Sequence, residues 1–270
     1  MFLVADNLQI TRPDMAEAIR RHQPDPIRSC VTRLQAAGAQ GIDLNTGPLG
    51  RNAAEDMAFC VGAVQSATDL PVLIDTANPL AIKAGLEANR KTVLINGISL
   101  EPQKLAAILP LAVEYNVDVI AYLLDEHSRV PMQLDERLAL ALDLFQRCQT
   151  AGLRREQLIF DPVVAPLIWE DGLQRNRDLL EIIRRLPELL DGPVRTIAGL
   201  SNLTTGPGPS AAKRRLEQAF ACMLASSGLT WVLLNIHHRE TVAAALNCRM
   251  LMNDHLFTWQ TVLAEVPRKR

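Results

Sequence analysis

Acidic and amide side chains recur at one kind of position in this sequence of 270 residues. Each stands where a short apolar run ends, in a chain with eight such runs. They are Asp6, Asp43, Asn45, Asp75, Asn96, Asp125, Asp161, Asn202 and Asn235. Asp and Asn also favour turns and helix caps, so a single one says little. Their recurrence predicts a shared polar site for a neutral, flat heterocycle rich in N–H donors, which would pair with a buried carboxylate as guanidinium does.

The apolar runs are rich in β-branched residues and alternate with longer amphipathic segments. We predict strands at Phe2–Ala5, Gly41–Leu44, Val72–Ile74, Thr92–Ile95, Val117–Leu124, Leu158–Phe160, Val194–Leu200 and Trp231–Leu234. Helices are predicted at Asp25–Ala37, Ala53–Ser66, Pro79–Ala88, Glu101–Tyr115, Gln133–Ala151, Asn176–Leu189 and Ser210–Ser227, with a last helical pair after His237. Eight βα units with apolar strands predict an α/β fold, a single (β/α)8 TIM barrel over residues 1–270. Its site would lie at the C-terminal face of the barrel.

The composition limits the partners and the compartment. Apolar residues make up 48% of the chain and the formal net charge is −2, which suggests neither nucleic acid nor an anionic membrane as a partner. The apolar run at the N-terminus is short and has no basic leader, and no stretch reaches the roughly 20 apolar residues of a membrane helix. The five cysteines lie far apart, which is typical of reduced thiols in a cytoplasmic protein.

The residues that an anion site, a metal site or a common nucleotide or hydrolase motif would require are missing from this pattern. No lysine or arginine ends a strand, so a phosphate or carboxylate ligand would find little positive charge. His237 and His238 are adjacent and cannot easily face one metal ion, and we therefore predict no metal site. The sequence contains neither Gly-x-Gly-x-x-Gly nor Gly-x-Ser-x-Gly.

Six segments, in chain order, resemble a known family. They are IDLNTGP at 42–48, LIDT at 73–76, LIN at 94–96, PLAVE at 110–114, IFDP at 159–162 and GLSN at 199–202. The set is similar to the pterin-binding methyltransferases that act between methyltetrahydrofolate and corrinoid proteins. Relatives of this family are the folate domain of methionine synthase and, more distantly, dihydropteroate synthase.

The resemblance implies an activity and roles for individual residues. Asp75, Asn96 and Asp161 would hold the pterin ring, and Asn202 would reach N5, the nitrogen that carries the methyl group. Further contacts to the pterin are expected from Asp43, Asn45, Gly199, Ser201 and Asn235. The methyl group would move between tetrahydrofolate and the cobalt of a corrinoid (a cobalamin) on a separate partner protein. The resemblance also implies a homodimer.

The mechanism expected from the resemblance needs a proton. The tertiary amine at N5 is a poor leaving group, so a donor such as Asn202 would stabilise its electron pair. No general acid stands out in the sequence, and the proton is expected through water. We expect Asp75 and Asp161 to be ionised where they face N–H donors of the pterin.

Two segments depart from the family. Asp6-Asn7-Leu8-Gln9 stands where the family often has Glu, Arg, Ile and Asn, so the basic residue is missing. The loop Thr204–Ser210 also differs. On these grounds we favour transfer from a methylated corrinoid to tetrahydrofolate, although a sequence does not fix the direction.

Two alternatives remain. A dihydropteroate synthase needs a lysine on the seventh strand and an arginine on the eighth, whereas here Lys213, Arg214 and Arg215 lie in the next helix. A non-catalytic pterin-binding subunit would not need a group at N5, and the presence of Asn202 argues against it.

Overall fold

Eight parallel strands form a closed barrel with helices between them. The structure, a computed structural model, describes residues 1–9, 12–47, 50 and 52–252. The strands are β1 (Phe2–Gln9), β2 (Gly41–Asn45), β3 (Val72–Asp75), β4 (Val93–Ile98), β5 (Asp118–Tyr122), β6 (Leu158–Asp161), β7 (Arg195–Gly199) and β8 (Trp231–Leu234). The helices are α1 (Pro13–Arg20), α2 (Pro24–Ala36), α3 (Ala53–Gln65), α4 (Pro79–Ala88), α5 (Pro102–Glu114), α6 (Leu134–Thr150), α7 (Gly172–Leu189), α8 (Ser210–Ser226) and α9 (Arg239–Leu251). The predicted fold class is confirmed.

The barrel has two apolar layers, one inside the strands and one between strands and helices. The inner layer is a separate cluster of buried residues: Val4, Leu73, Leu94, Ile120, Ile159 and Ile197. Alternate residues, such as Ile74 and Ile95, pack in the larger outer core with the helices. Because side chains alternate along a strand, the residue two positions after each inner apolar residue also faces the barrel axis. Polar side chains at those positions therefore meet at the C-terminal mouth.

The first βα unit differs most from the sequence-based expectation. β1 continues to Gln9, and its register with β2 shifts between Ala5 and Leu8. Asp6 therefore lies within the strand and does not end it. The short helix α1 was not predicted, although Pro13 in its first turn and a basic residue, Arg20, in its last turn are ordinary helix signals.

Other boundaries differ as well. β4 continues to Ile98, so Asn96 lies within the strand and does not end it as predicted. β5 ends at Tyr122, so Asp125 lies beyond it, in a turn where its carboxylate accepts the backbone N–H groups of His127 and Arg129. The seventh predicted strand ends at Gly199, and α7 begins at Gly172 instead of Asn176. α9 is the first helix of the predicted last pair, and the second falls outside the described residues. No helix within the described ranges is long and apolar enough to cross a membrane.

A buried arginine joins α6 to the loop after β6. Arg137 is fully buried, and it donates to the carbonyl oxygens of Pro162 at 2.6 Å and of Arg175 at 3.2 Å. Burial lowers its pKa to about 10, so it remains charged at neutral pH. It thereby fixes the backbone next to Asp161, the last residue of β6.

Candidate functional site

Polar side chains of five neighbouring strands lie side by side at the mouth. Asn45, Asp75 and Asn96 are in register across β2, β3 and β4. Tyr122 and Asp161 are in register across β5 and β6. We use the name cup for six residues, which are Asp43, Asn45, Asp75, Asn96, Tyr122 and Asp161. Five of them were predicted as site residues, and the structure brings these five together.

Hydrogen bonds fix the amides of the cup. Asn45 donates from Nδ2 to Oδ2 of Asp75 at 2.6 Å, while its Oδ1 accepts the backbone N–H of Gly47 at 2.9 Å. Asn96 donates from Nδ2 to Oδ1 of Asp43 at 3.0 Å, and its Oδ1 accepts the hydroxyl of Tyr122. Each amide is thus held at both ends, which sets where it presents its remaining hydrogen-bonding capacity.

Burial raises the pKa of all three acids in the cup. It raises the pKa of Asp161 to about 7, although the carboxylate accepts the backbone N–H of Val163 at 2.8 Å. It also raises the pKa of Asp75 to about 6, although the hydrogen bond from Asn45 acts to lower that pKa. The pKa of Asp43 is raised well above its usual range, first by burial and then by the charge of Asp75. N–H donors from a ligand would favour the ionised forms of these acids.

The predicted catalytic residue lies just beyond β7, in the 3-10 helix Leu200–Thr204. A Cβ atom on Gly199 would lie 3.1 Å from Nδ2 of Asn202. The amide of Asn202 therefore folds back over the end of β7, into space that a side chain at position 199 would fill. Asn202 is exposed and does not end the strand as predicted, but it still borders the mouth.

β1 and the end of β8 are joined by a pair of amides. Asn7 donates from Nδ2 to Oδ1 of Asn235 at 2.8 Å, and Oδ1 of Asn7 accepts the backbone N–H of Ile236 at 2.9 Å. Oδ1 of Asn235 also accepts the backbone N–H of His237 at 3.0 Å. Asn235, a predicted site residue, therefore closes the barrel seam at the mouth, away from the cup.

A polar cavity of about 300 Å³ lies on this β1–β8 side. Its lining includes Asp6, Ser201, Glu217, Asn235 and His238. Ser201, another predicted site residue, lines this cavity beside Asp6 and offsets part of the rise in pKa that burial causes at Asp6. Among the described residues, no group of three or more His, Cys, Asp and Glu is arranged to hold a metal ion.

Sequence reasoning missed four residues of this region. Tyr122 could have been found, because it stands two residues after Ile120 on the inward face of β5. Arg12 lines the cavity close after β1, and a search limited to strand ends passes over it. Glu217 and His238 gave no usable signal, because their side chains meet only through the fold.

The family comparison places this barrel among the pterin-binding enzymes. The family model described as pterin binding enzyme matches residues 11–235, and the chain belongs to this family. The family resemblance of the sequence is thereby confirmed.

Individual relatives are distant. The chain is 24% identical over 261 residues to a methylcorrinoid:tetrahydrofolate methyltransferase of Eubacterium limosum, covering 95% of this chain and 93% of that protein. It is 24% identical over 204 residues to methionine synthase of Mycobacterium leprae, which covers 71% of this chain but only 16% of that protein.

Dihydropteroate synthases are among the solved structures with the same fold. The Yersinia pestis enzyme, in complex with a sulfonamide drug, superposes with a TM-score of 0.69 at 18% identity, covering 93% of each chain. The Stenotrophomonas maltophilia enzyme, with imidazole bound in the active site, gives 0.65 at 17% identity over 98% of this chain and 94% of that one. At these identities, the likeness establishes the fold alone.

The raised pKa values predict how pterin binding depends on pH. We expect the affinity for tetrahydrofolate to rise between pH 5.5 and 8, because the ligand's N–H donors need the ionised forms of Asp75 and Asp161. Below each pKa the affinity falls by up to about tenfold per pH unit. Calorimetric titration across this range measures the effect. An affinity that stays constant from pH 5.5 to 8 would contradict the prediction.

Asp161→Asn is the matching control for the pH dependence of binding, because an amide at position 161 does not ionise. The folded protein keeps a proton on Asp161 that the unfolded chain releases between about pH 4 and 7, so the stability contributed at this position falls as the pH rises. The variant should therefore gain stability over the parent at pH 8 but hardly at pH 4, as urea denaturation at both values measures. It should also bind tetrahydrofolate more weakly.

Proposed function

We propose that this chain transfers a methyl group between N5 of tetrahydrofolate and the cobalt of a corrinoid carried by a partner protein. The observation that carries the proposal is the placement of Asn202 over Gly199, at the rim of a buried cup of acids and amides. A cup alone would bind a pterin, whereas an exposed amide at its rim is suited to act on a ring nitrogen that faces a second substrate. The name of the Eubacterium limosum relative supports the same activity and the direction towards tetrahydrofolate.

Three of the residues would bind the pterin, and Asn202 would take part in the reaction. Ionised Asp75 and Asp161 would each accept N–H groups of the pterin, as buried carboxylates accept bidentate donors. Asn96, held by Asp43 and Tyr122, adds a contact of fixed orientation. Asn202 would donate to N5 when its bond to the methyl group breaks and accept from N5–H in the reverse direction. The corrinoid is a substrate that accepts or supplies the methyl group.

A dihydropteroate synthase activity fits the residues less well. That reaction has a pyrophosphate leaving group, for which β7 and the residue after β8 provide a glycine and an asparagine. Lys213 donates to the carbonyl oxygen of Gly206, in the loop before α8. Arg12 is paired with Asp14 at 2.6 Å. We therefore favour methyl transfer, and the homodimer and the single domain remain predictions.

The test follows methyl transfer in the visible spectrum. Protein, tetrahydrofolate and free methylcobalamin are mixed without oxygen, and loss of the methyl–cobalt bands with appearance of cobalt(I) bands is expected only when both protein and folate are present. Asp161→Asn, which should bind folate weakly, serves as the control. If calorimetry shows tetrahydrofolate binding but no spectral change occurs with either free methylcobalamin or a methylated corrinoid protein, the proposal is wrong. Release of pyrophosphate from a pterin pyrophosphate would favour the alternative.

A further inference from the structure

Three titratable side chains lie together outside the cup, on the β1–β8 side of the mouth. Asp6 is on β1, Glu217 is in the middle of α8, and His238 precedes α9. Asp6 and Glu217 are both buried, which is costly for carboxylates and unusual on the inner face of a surface helix. We call these three residues the acid–histidine group.

Two contacts connect this group to the segment that carries Asn202. Thr204 donates from its hydroxyl to Oε1 of Glu217 at 2.5 Å, and Ser201 lines the same cavity as Asp6, close enough to offset part of the rise in pKa that burial causes there. Both hydroxyls belong to the 3-10 helix Leu200–Thr204. The group therefore lies against the same short helix that carries Asn202, the predicted N5 contact.

Exposure decreases along the group from solvent to the barrel. The side chain of His238 is 28% exposed, and its Nδ1 lies 3.3 Å from Oε2 of Glu217, whose side chain is 9% exposed. Asp6 is also buried, and its pKa is raised chiefly by burial, with a contribution from the charge of Glu217, while the charge of Asp6 contributes to the raised pKa of Asp43 in the cup. The cavity of about 300 Å³ between these side chains is polar and large enough for several waters. His238 is thus the outer member and Asp6 the inner member of the group, and the cavity is the path between them.

We propose that His238, Glu217 and Asp6 carry protons between solvent and the Asn202 side of the cup. The inference rests on the proposed function, because methyl transfer from N5 requires a proton. When the N5–methyl bond breaks, its electron pair stays on N5, which takes one proton, and the methyl group bonds to reduced cobalt. In the direction towards tetrahydrofolate, N5–H loses that proton as the N–C bond forms. The path would supply a proton donor on the Asn202 side of the mouth, where the cup has none.

A purely structural role makes a different prediction. If Glu217 only held the 200–204 segment through Thr204, a glutamine would serve almost as well, because its amide oxygen still accepts the hydroxyl. A carboxylate that exchanges protons cannot be replaced in this way. The other titratable side chains that line the cavity with His238 are Glu217, Asp6 and Arg12, and His237 is its neighbour in the chain.

The first test compares Glu217→Gln with Thr204→Val. Transfer from methyltetrahydrofolate to free cobalt(I) cobalamin is measured from pH 5.5 to 8.5 in dilute buffer. We expect Glu217→Gln to slow transfer by about 10²-fold with a changed pH profile, at the lower end of the range of general acid–base effects. Thr204→Val, which breaks the same hydrogen bond without removing a proton carrier, should keep the parent's profile. Calorimetry should show tetrahydrofolate affinities within about twofold of the parent for Glu217→Gln.

The second test is chemical rescue at the solvent end. His238→Ala should transfer methyl slowly and recover with added imidazole, because the outer end of the path is open to a small base. His237→Ala is the matched control, since this exposed neighbour does not line the cavity, and neither it nor the parent should respond to imidazole.

The outcomes separate two kinds of failure. Absence of methyl transfer by the parent protein would reject the proposed function, and the path with it. An active parent whose Glu217→Gln variant matches Thr204→Val at every pH would reject the path alone. The path would also be rejected if added imidazole did not restore methyl transfer by His238→Ala. It would be rejected as well if Glu217→Gln lost tetrahydrofolate affinity in proportion to its loss of rate.

Discussion

Asn202→Ala should slow methyl transfer by about 10²–10³-fold while leaving tetrahydrofolate bound. Removing one well-placed donor to charge that develops in the transition state typically has an effect of this size. The amide of Asn202 lies over Gly199 at the exposed rim, away from the buried acids that would hold the ring. Its loss should therefore act on the rate constant more than on the affinity. Single-turnover spectra with saturating folate measure the rate, and calorimetry measures the affinity.

A second variant at the same position sharpens this test. Asn202→Asp preserves the size of the side chain but replaces the N–H donor with an acceptor. It should be as slow as the alanine variant at neutral pH and recover in part at lower pH, where the carboxyl group can donate. If Asn202→Ala transfers methyl at the parent's rate, Asn202 has no role at N5.

Arg137→Ala should lower the free energy of unfolding by about 3–5 kcal/mol. The substitution empties a fully buried site and leaves the carbonyl oxygen of Pro162 without its donor at 2.6 Å. Because Pro162 follows Asp161 directly, the variant should also bind tetrahydrofolate more weakly. Urea denaturation followed by circular dichroism measures the stability.

The same helix provides a control for Arg137. Arg147 also lies in α6, but its side chain is 56% exposed and pairs with Asp143 at 2.9 Å. Exposed pairs of this kind contribute little, so Arg147→Ala should change the stability by no more than about 0.5 kcal/mol. Equal losses in the two variants would show that burial of Arg137 is unimportant.

The barrel was predictable because its strands are apolar on both faces and end in a polar residue, and because side chains alternate between the two faces. Runs such as Val72–Asp75 and Leu158–Asp161 are apolar on both faces until the last residue, and a buried parallel strand needs this pattern. The polar residue that ends each run then has only the mouth to face. Period-two alternation, applied strictly, would also have placed Tyr122 in the cup in preference to Asp125.

The rest depended on features that local pattern does not encode. The irregularity in β1 shifts its register by one residue, and only the pairing with β2 reveals it. Glu217 lies 21 positions before His238, and their contact exists because α8 and the start of α9 pack together. In the sequence, Glu217 resembles any solvated residue of an amphipathic helix. The chemistry of the β1–β8 side therefore became visible only in three dimensions.

The fixed amide of Asn96 has a consequence for the design of antifolates. Its Nδ2 is held by Asp43 and its Oδ1 by Tyr122, so the side chain cannot rotate by half a turn to suit a compound with donor and acceptor exchanged. On the proposed contact between Asn96 and the pterin, a ring analogue with the reversed edge would leave buried groups unpaired, at about 1–3 kcal/mol for each. An inhibitor series for this protein should therefore preserve the hydrogen-bonding polarity of the natural ring at that edge, and vary substituents on the side that faces Asn202.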